Sequence, residues 1–334
     1  MRIKRAACLL AALLLLALLP LPVSAAGRIE TDRPVTLTIL FEHNGTPVAG
    51  APFSLYRVAD VSASGTFTLT GDFKNDPVRL DGLDSSGWRA LAATLEGLVL
   101  LDGRKPLDSG KTGQNGRLTF PNRQKTLLPG LYLLLGVSFV SGKYTYTVQP
   151  SLICLPCADD ASNTWQYDAL IEPKHTRDDI PDTPSDSTTD RKVLKVWDDG
   201  GAAARPQEVT VQLLKNGVVY DTVRLNAKNN WRYTWSNLPK YDQDGRLIVW
   251  RVTETAVDGY TVSIRQEGLT FVVTNTRKPG EPAQPGTPPT PSVPSKPPQL
   301  PQTGSVWWPR ALLALAGIAL LLAGWRCGKD RRDA

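Results

Sequence analysis

Three polar side chains stand where their surroundings call for apolar ones. In KVLKVWDD, Lys195 falls on the strand face of Val193 and Trp197. In VWRVTET, Glu254 shares a face with Trp250 and Val252, and in FVVTNT, Asn275 shares one with Phe271 and Val273. If those faces are core, an amine, a carboxyl and a carboxamide are buried together. A buried charge is costly unless it is paired, so the trio demands a reason, structural or chemical. Other reactive groups are few. Cys154 and Cys157, in CLPC, read as a local disulfide or two idle thiols rather than as a redox or zinc pair, because no second ligand pair is found. His43 and His175 are the only histidines, with no cluster for a metal and no Ser–His pattern. Paired carboxylates are present but unplaced. The expectation is no enzyme, no cofactor and no metal.

The elements that must position the trio alternate with period two. EVTVQLLKNGVVYDTVRL reads as a hairpin: Val209, Val211 and Leu213 share a face, and Asn216-Gly217 makes the turn. NNWRYTWSNLP, LIVWRVTET and LTFVVTNT follow as strands, so residues 192–277 read as one all-β sandwich. Residues 28–174 read as a second sandwich. There PVTLTILFEH puts Val35, Leu37, Ile39 and Phe41 on one face, and APFSLYRVADV, PGLYLLLGVSF and YTYTVQPSLICLP behave alike. Residues 86–97, with Trp88, Leu91 and Leu95, read as one short helix. Between the two sandwiches, 175–191 is rich in Asp, Ser, Thr and Pro and reads as a linker. Residues 278–299 hold nine prolines and read as a polyproline II stalk, roughly 70 Å long at about 3.1 Å per residue.

The ends are of another kind. Residues 1–26 carry Arg2, Lys4 and Arg5, an apolar run from Ala6 to Leu19 and a small-residue site, the pattern of a cleaved signal peptide. Cys8 lies in this segment and Cys327 in the last one. At the other end, residues 305–334 hold an apolar run, Ala311 to Trp325, followed by Arg326, Lys329, Arg331 and Arg332. Fifteen residues fall short of the roughly twenty that span a bilayer. The chain is formally +6, but residues 1–26 carry three basic groups and no acid, and 304–334 carry five basic and two acidic groups. Residues 27–303 are therefore neutral, which argues against nucleic acid or anionic lipid as a partner.

Leu300-Pro301-Gln302-Thr303-Gly304, ahead of that apolar run and basic tail, resembles the Leu-Pro-x-Thr-Gly sorting signal of Gram-positive cell-wall proteins. The resemblance implies that a sortase thiolate attacks the Thr303 carbonyl, releases Gly304 onward and passes the chain to an amine of the peptidoglycan precursor. The membrane then holds the chain only in passing. KVWDD, RPQEVTVQLLKNG, WRYTWSNLPKYDQDG, VTETAVDGY and VVTNT together resemble the collagen-adhesin B-type domain of Gram-positive surface proteins and pilins, over essentially all of 192–277. That resemblance implies an intramolecular isopeptide bond, with Lys195 the nucleophile, Asn275 the acyl partner and Glu254 the proton-handling catalyst. Burial favours it, since an apolar setting lowers a lysine pKa and raises a glutamate pKa.

VAGAPFSLYRVADV and LPGLYLLLG resemble the N-terminal domain of sortase-assembled pilins. There the first strand supplies a lysine when a cross-link exists, and none occurs here between Lys4 and Lys74, so no equivalent bond is expected. WQYDALIEPK keeps Trp165, Pro173 and Lys174 at the spacing of the pilin motif, with Ala169, Ile171 and Glu172 at its two valines and tyrosine. By that likeness Lys174 accepts the next subunit; a plain surface lysine ending a strand is the other reading. The whole implies a wall-anchored structural surface protein, a pilin subunit with other subunits as partners, or else a monomeric adhesin with an unnamed host ligand.

Overall fold

The computed structural model describes residues 27–159, 164–180, 187–201 and 205–278. The expected signal peptide, nearly all of the expected stalk, the LPQTG pentapeptide and the C-terminal apolar run lie outside the described residues, as do Cys8 and Cys327. The described part is all-β with a single α-helix, its strands gathered into several sheets as expected of β-sandwiches.

The N-terminal half begins with β1 (Thr36–Leu40), β2 (Glu42–His43), β3 (Thr46–Pro47), β4 (Pro52–Val61) and β5 (Phe67–Leu69). It continues through α1 (Ser85–Asp102), β6 (Asp108–Lys111), β7 (Arg117–Phe120), β8 (Gly130–Gly136), β9 (Phe139–Ser141) and β10 (Tyr144–Val148). β11 (Ser151–Leu155), β12 (Cys157–Asp159), β13 (Thr164–Gln166), β14 (Asp168–Ile171) and β15 (His175–Asp179) complete it. β1 lies between β7, antiparallel, and β14, parallel. β4 and β8 pair at the centre of a second sheet, with β11 beyond β8. Val35, Leu37, Ile39 and Phe41 are all buried in the sandwich core, as their alternation predicts.

β8, GLYLLLG, is buried along both faces. Tyr132 and Leu134 enter the sandwich core, while Leu131, Leu133 and Leu135 face Leu91, Leu95 and Leu98 of α1. A strand covered on both sides reads as a continuous apolar run. The helix is longer than the expected 86–97 because both ends are capped. Asp84 accepts from the Gly87 N–H at 2.7 Å, and Gly103 ends the helix in the left-handed conformation at φ 60°.

The second half holds β16 (Thr188–Asp198), β17 (Glu208–Lys215), β18 (Val218–Asn226), β19 (Arg232–Pro239), β20 (Trp250–Glu254), β21 (Tyr260–Glu267) and β22 (Thr270–Arg277). One sheet runs β19-β16-β22-β21 and the other β18-β17-β20. The β17–β18 turn is Asn216-Gly217 with φ of 50° and 87°, the left-handed pair that an Asn-Gly hairpin turn uses. Val209, Val211 and Leu213 are buried in the core between the sheets.

The expected linker, 175–191, is corrected by the structure. Its first five residues form β15, paired along its length with β10, and its last four already belong to β16. The His175 ring packs against Phe41 with centroids 4.6 Å apart, and the Arg177 guanidinium lies 4.1 Å above Tyr144. β15 is an outer strand held by backbone pairing and aromatic contact, so it needs no apolar alternation.

Candidate functional site

Lys195 sits in the middle of β16 because the surrounding residues fit a central strand. Val193 is buried and branched, and the backbone pairs on both sides, with β19 and with β22. β22 is the last strand, yet it lies parallel to β16 and directly beside it. In that register Lys195 faces Val273 and Trp197 faces Asn275, so Lys195 and Asn275 share one face of one sheet. Glu254 comes from the opposite sheet, at the end of β20 where it pairs with Val211. The trio thus converges from the first and last strands and from across the core.

Lys195, Glu254 and Asn275 are 4%, 3% and 1% exposed. Lys195 Nζ stands 3.4 Å from Glu254 Oε1 and donates to the carbonyls of Val196 at 3.3 Å and Val273 at 3.4 Å. Neither carboxyl oxygen of Glu254 nor either amide atom of Asn275 meets a well-formed hydrogen-bond partner. Buried polar atoms in native proteins are nearly always satisfied, so four such atoms around one amine mark a site that is not simply structural. Burial pushes the Lys195 amine down to about 8, against the pull of the Glu254 charge. Burial likewise raises Glu254 above the ordinary carboxylate range, with Lys195 opposing. Burial thus narrows the gap between the ion pair and the neutral amine–acid pair.

Trp197 is a neighbour that the sequence reading did not assign. Its ring centre lies 4.4 Å from Lys195 Nζ, and Trp231 and Tyr260 meet it edge-on at 5.4 and 5.1 Å. Asp199 lies beyond it and accepts from Arg205 at 2.7 and 2.6 Å and from the Tyr260 hydroxyl at 3.1 Å. The Arg205 guanidinium holds its carboxyl well below the usual range. The WDD run carried this information, since a Trp two residues after a buried Lys must share its face. Lys192, by contrast, is exposed.

The remaining candidates lie elsewhere. Lys174 is exposed between β14 and β15, and its carbonyl accepts from the Gln149 N–H at 2.8 Å. Pro173 is buried, and Trp165, partly buried against the sandwich core, donates its indole N–H to the Gly27 carbonyl. Cys154 and Cys157 are free thiols whose sulfurs donate to the carbonyls of Pro156 and Cys154. Burial pushes Cys154 up to about 11 and raises Cys157 as well, away from thiolate reactivity. His43 and His175, 132 positions apart, meet with Nδ1 and Nε2 at 3.1 Å. Leu300, Pro301, Thr303 and Gly304 lie outside the described residues.

Comparison with known proteins places the site in a recognised module. Residues 191–276 match the family model of the Cna protein B-type domain. A collagen adhesin of Staphylococcus aureus is 42% identical over 96 residues, which is 28% of this chain and 8% of that protein. The chain therefore spans about 8% of the length of that relative. Similar solved structures include a single B repeat unit of the collagen-binding surface protein of Staphylococcus aureus. It is 17% identical with TM-score 0.27, over 74% of this chain and 99% of that one. The full-length major pilin SpaD of Corynebacterium diphtheriae is 12% identical with TM-score 0.28, over 75% and 99%. Superposition at these scores is poor, and the assignment stands on the match of sequence. Residues 191–276 thus match the Cna protein B-type domain, and the likeness to a staphylococcal collagen adhesin falls on a stretch of similar length.

Proposed function

We propose that this chain is a structural protein of a Gram-positive cell surface whose B-type domain cross-links itself through Lys195 and Asn275. The observation that carries the reading is the convergence of a buried amine, acid and amide with unsatisfied polar atoms. In the reaction the neutral Lys195 Nζ attacks Asn275 Cγ while protonated Glu254 hydrogen-bonds and polarises the amide oxygen. The N–C bond to the side-chain nitrogen breaks, and a proton from Lys195 travels through Glu254 to that nitrogen. One amide replaces another, and ammonia leaves. The rigid sheet supplies the proximity that free groups lack. The intact chain is expected to lack the mass of one ammonia, and Lys195→Ala or Glu254→Ala to restore it. The full mass in a folded wild-type chain refutes the bond.

The sorting signal and the stalk support attachment to the wall through Thr303 by a sortase. The exposure of Lys174 supports polymerisation with other subunits. Wall extracts are expected to give a ladder of covalent multimers that Lys174→Ala collapses, while Thr303→Ala leaves protein in the membrane or medium. The match to a collagen adhesin supports the second reading, a monomeric wall-anchored adhesin for a host ligand. A wild type that runs only as monomer selects it.

A further inference from the structure

The B-type domain is open along one side, where β20 ends one sheet and β21 ends the other. α1 of the N-terminal half fills that side. The outward N–H of Ile264 on β21 donates to Thr94 Oγ1 at 2.8 Å, and Thr94 in turn donates to the Ala90 carbonyl at 2.8 Å. The next outward N–H, of Val262, donates to the Pro77 carbonyl at 2.6 Å, just ahead of the helix. These two outward amides at the middle of the edge, which would otherwise invite pairing with another chain, are taken by the other half of the molecule.

β20 is held from the same helix. Glu96 Oε2 meets Arg251 Nε at 2.6 Å, with both side chains largely buried. Gly97 lies so close that a Cβ there would stand 3.2 Å from the Val252 carbonyl and 3.6 Å from Thr253 Cβ. Arg251 and Thr253 occupy the outer positions of β20, and they alternate with Trp250, Val252 and Glu254. The helix therefore grips the outer face of the strand whose inner face presents Glu254 to Lys195.

We propose that Thr94, Glu96 and Gly97 are positioning residues for the cross-link. α1 fixes β20 from outside, so that docking of the N-terminal half sets the place of Glu254 and the rate of bond formation. This rests on the isopeptide reading above. A shift of the catalyst by about 1 Å can cost on the order of a hundredfold in rate, and β20 is an edge strand with a ladder partner on one side only.

The test follows the full chain during cell-free synthesis, with ammonia loss read by intact mass and docking read by hydrogen exchange over Val262–Ile264. Glu96→Arg is expected to slow bond formation at least about tenfold and to speed exchange at both amides. Combining it with Arg251→Glu is expected to restore both, which a general loss of folding would not allow. Gly97→Leu, which wedges the helix away, is expected to act like Glu96→Arg. Faster exchange with an unchanged rate of ammonia loss overturns the positioning role, and unchanged exchange in Gly97→Leu overturns the docking. A wild type that keeps its ammonia defeats the isopeptide reading itself, while the exchange measurement still reports the docking.

Discussion

Lys195 and Glu254 share one environment and titrate as a pair. Attack needs a neutral amine and, at the same moment, a protonated acid, so the reactive form holds one proton between them on the carboxyl. The commoner one-proton form is the ion pair, and the two interconvert by a single transfer. The population of one-proton pairs is largest between the two apparent pKa values of the couple. Lys195 is held down at about 8, and Glu254 is raised towards it. Bond formation is therefore expected to follow a bell-shaped pH profile, declining above about pH 8 as the last proton leaves and declining in acid as a second is taken up. The check is the initial rate of ammonia loss across pH 5–10 in freshly synthesised chain. A rate that keeps climbing through pH 10 shows that Glu254 need not be protonated. These three residues were legible from sequence because each interrupts an apolar face. Of their neighbours, Trp197 was legible as a residue of the same face, while the Asp199–Arg205–Tyr260 group depends on which strands lie side by side.

At the scale of the element, β15 shows what period-two reading overlooks. HTRDD has no apolar alternation, yet it forms a strand because β10 offers a free edge and Phe41, Tyr144 and Tyr146 offer aromatic faces. The His43–His175 contact pins its first residue. His175 Nδ1–H donates to the Pro173 carbonyl at 3.2 Å, leaving Nε2 to accept from His43 Nδ1–H. Burial lowers the His43 pKa from its ordinary 6.5, and the Arg177 charge lowers it further. A depressed pKa on a basic group means that the neutral form holds the fold. Its contribution is complete above pH 6.5 and is lost as pH falls through the lowered value. Protection of the β15 amides from hydrogen exchange, relative to the unfolded chain at the same pH, is expected to fall in that acid range and to become insensitive to it in His43→Gln. Identical pH responses in the two proteins remove the pair from any role in holding the strand. α1 was half legible: its apolar spacing marked a helix, but its second buried face, against β20 and β21, belongs to partners 155 and 170 positions away in sequence.

For the whole molecule the question is where tension enters and leaves. In the wall-anchored reading proposed above, tension would leave through the chain beyond Arg277. Within the B-type domain β16 and β22 are parallel neighbours, so pulling the ends of the domain would shear them past each other and unravel the sandwich. The proposed bond from Lys195 to Asn275 would carry the load directly between those strands and leave the intervening chain, some eighty residues, unloaded. By the loop-entropy estimate used for disulfides the bond also adds on the order of 4–5 kcal/mol to stability. The N-terminal half needs no such device if the polymer is joined at Lys174, because nearly all of that half then lies outside the path, and only β15 must bear load before β16. In an adhesin the same half would be pulled from its far end and would lie in the path of the load. Single-molecule stretching distinguishes the cases. Pulled between residue 174 and the C-terminus, the wild type is expected to show no unfolding step from the B-type domain. Glu254→Ala, which lacks the bond, is expected to release about 270 Å, some eighty residues at about 3.4 Å each. A step of that length in the wild type would sink the load-bearing role of Lys195 and Asn275, whatever the chemistry between them.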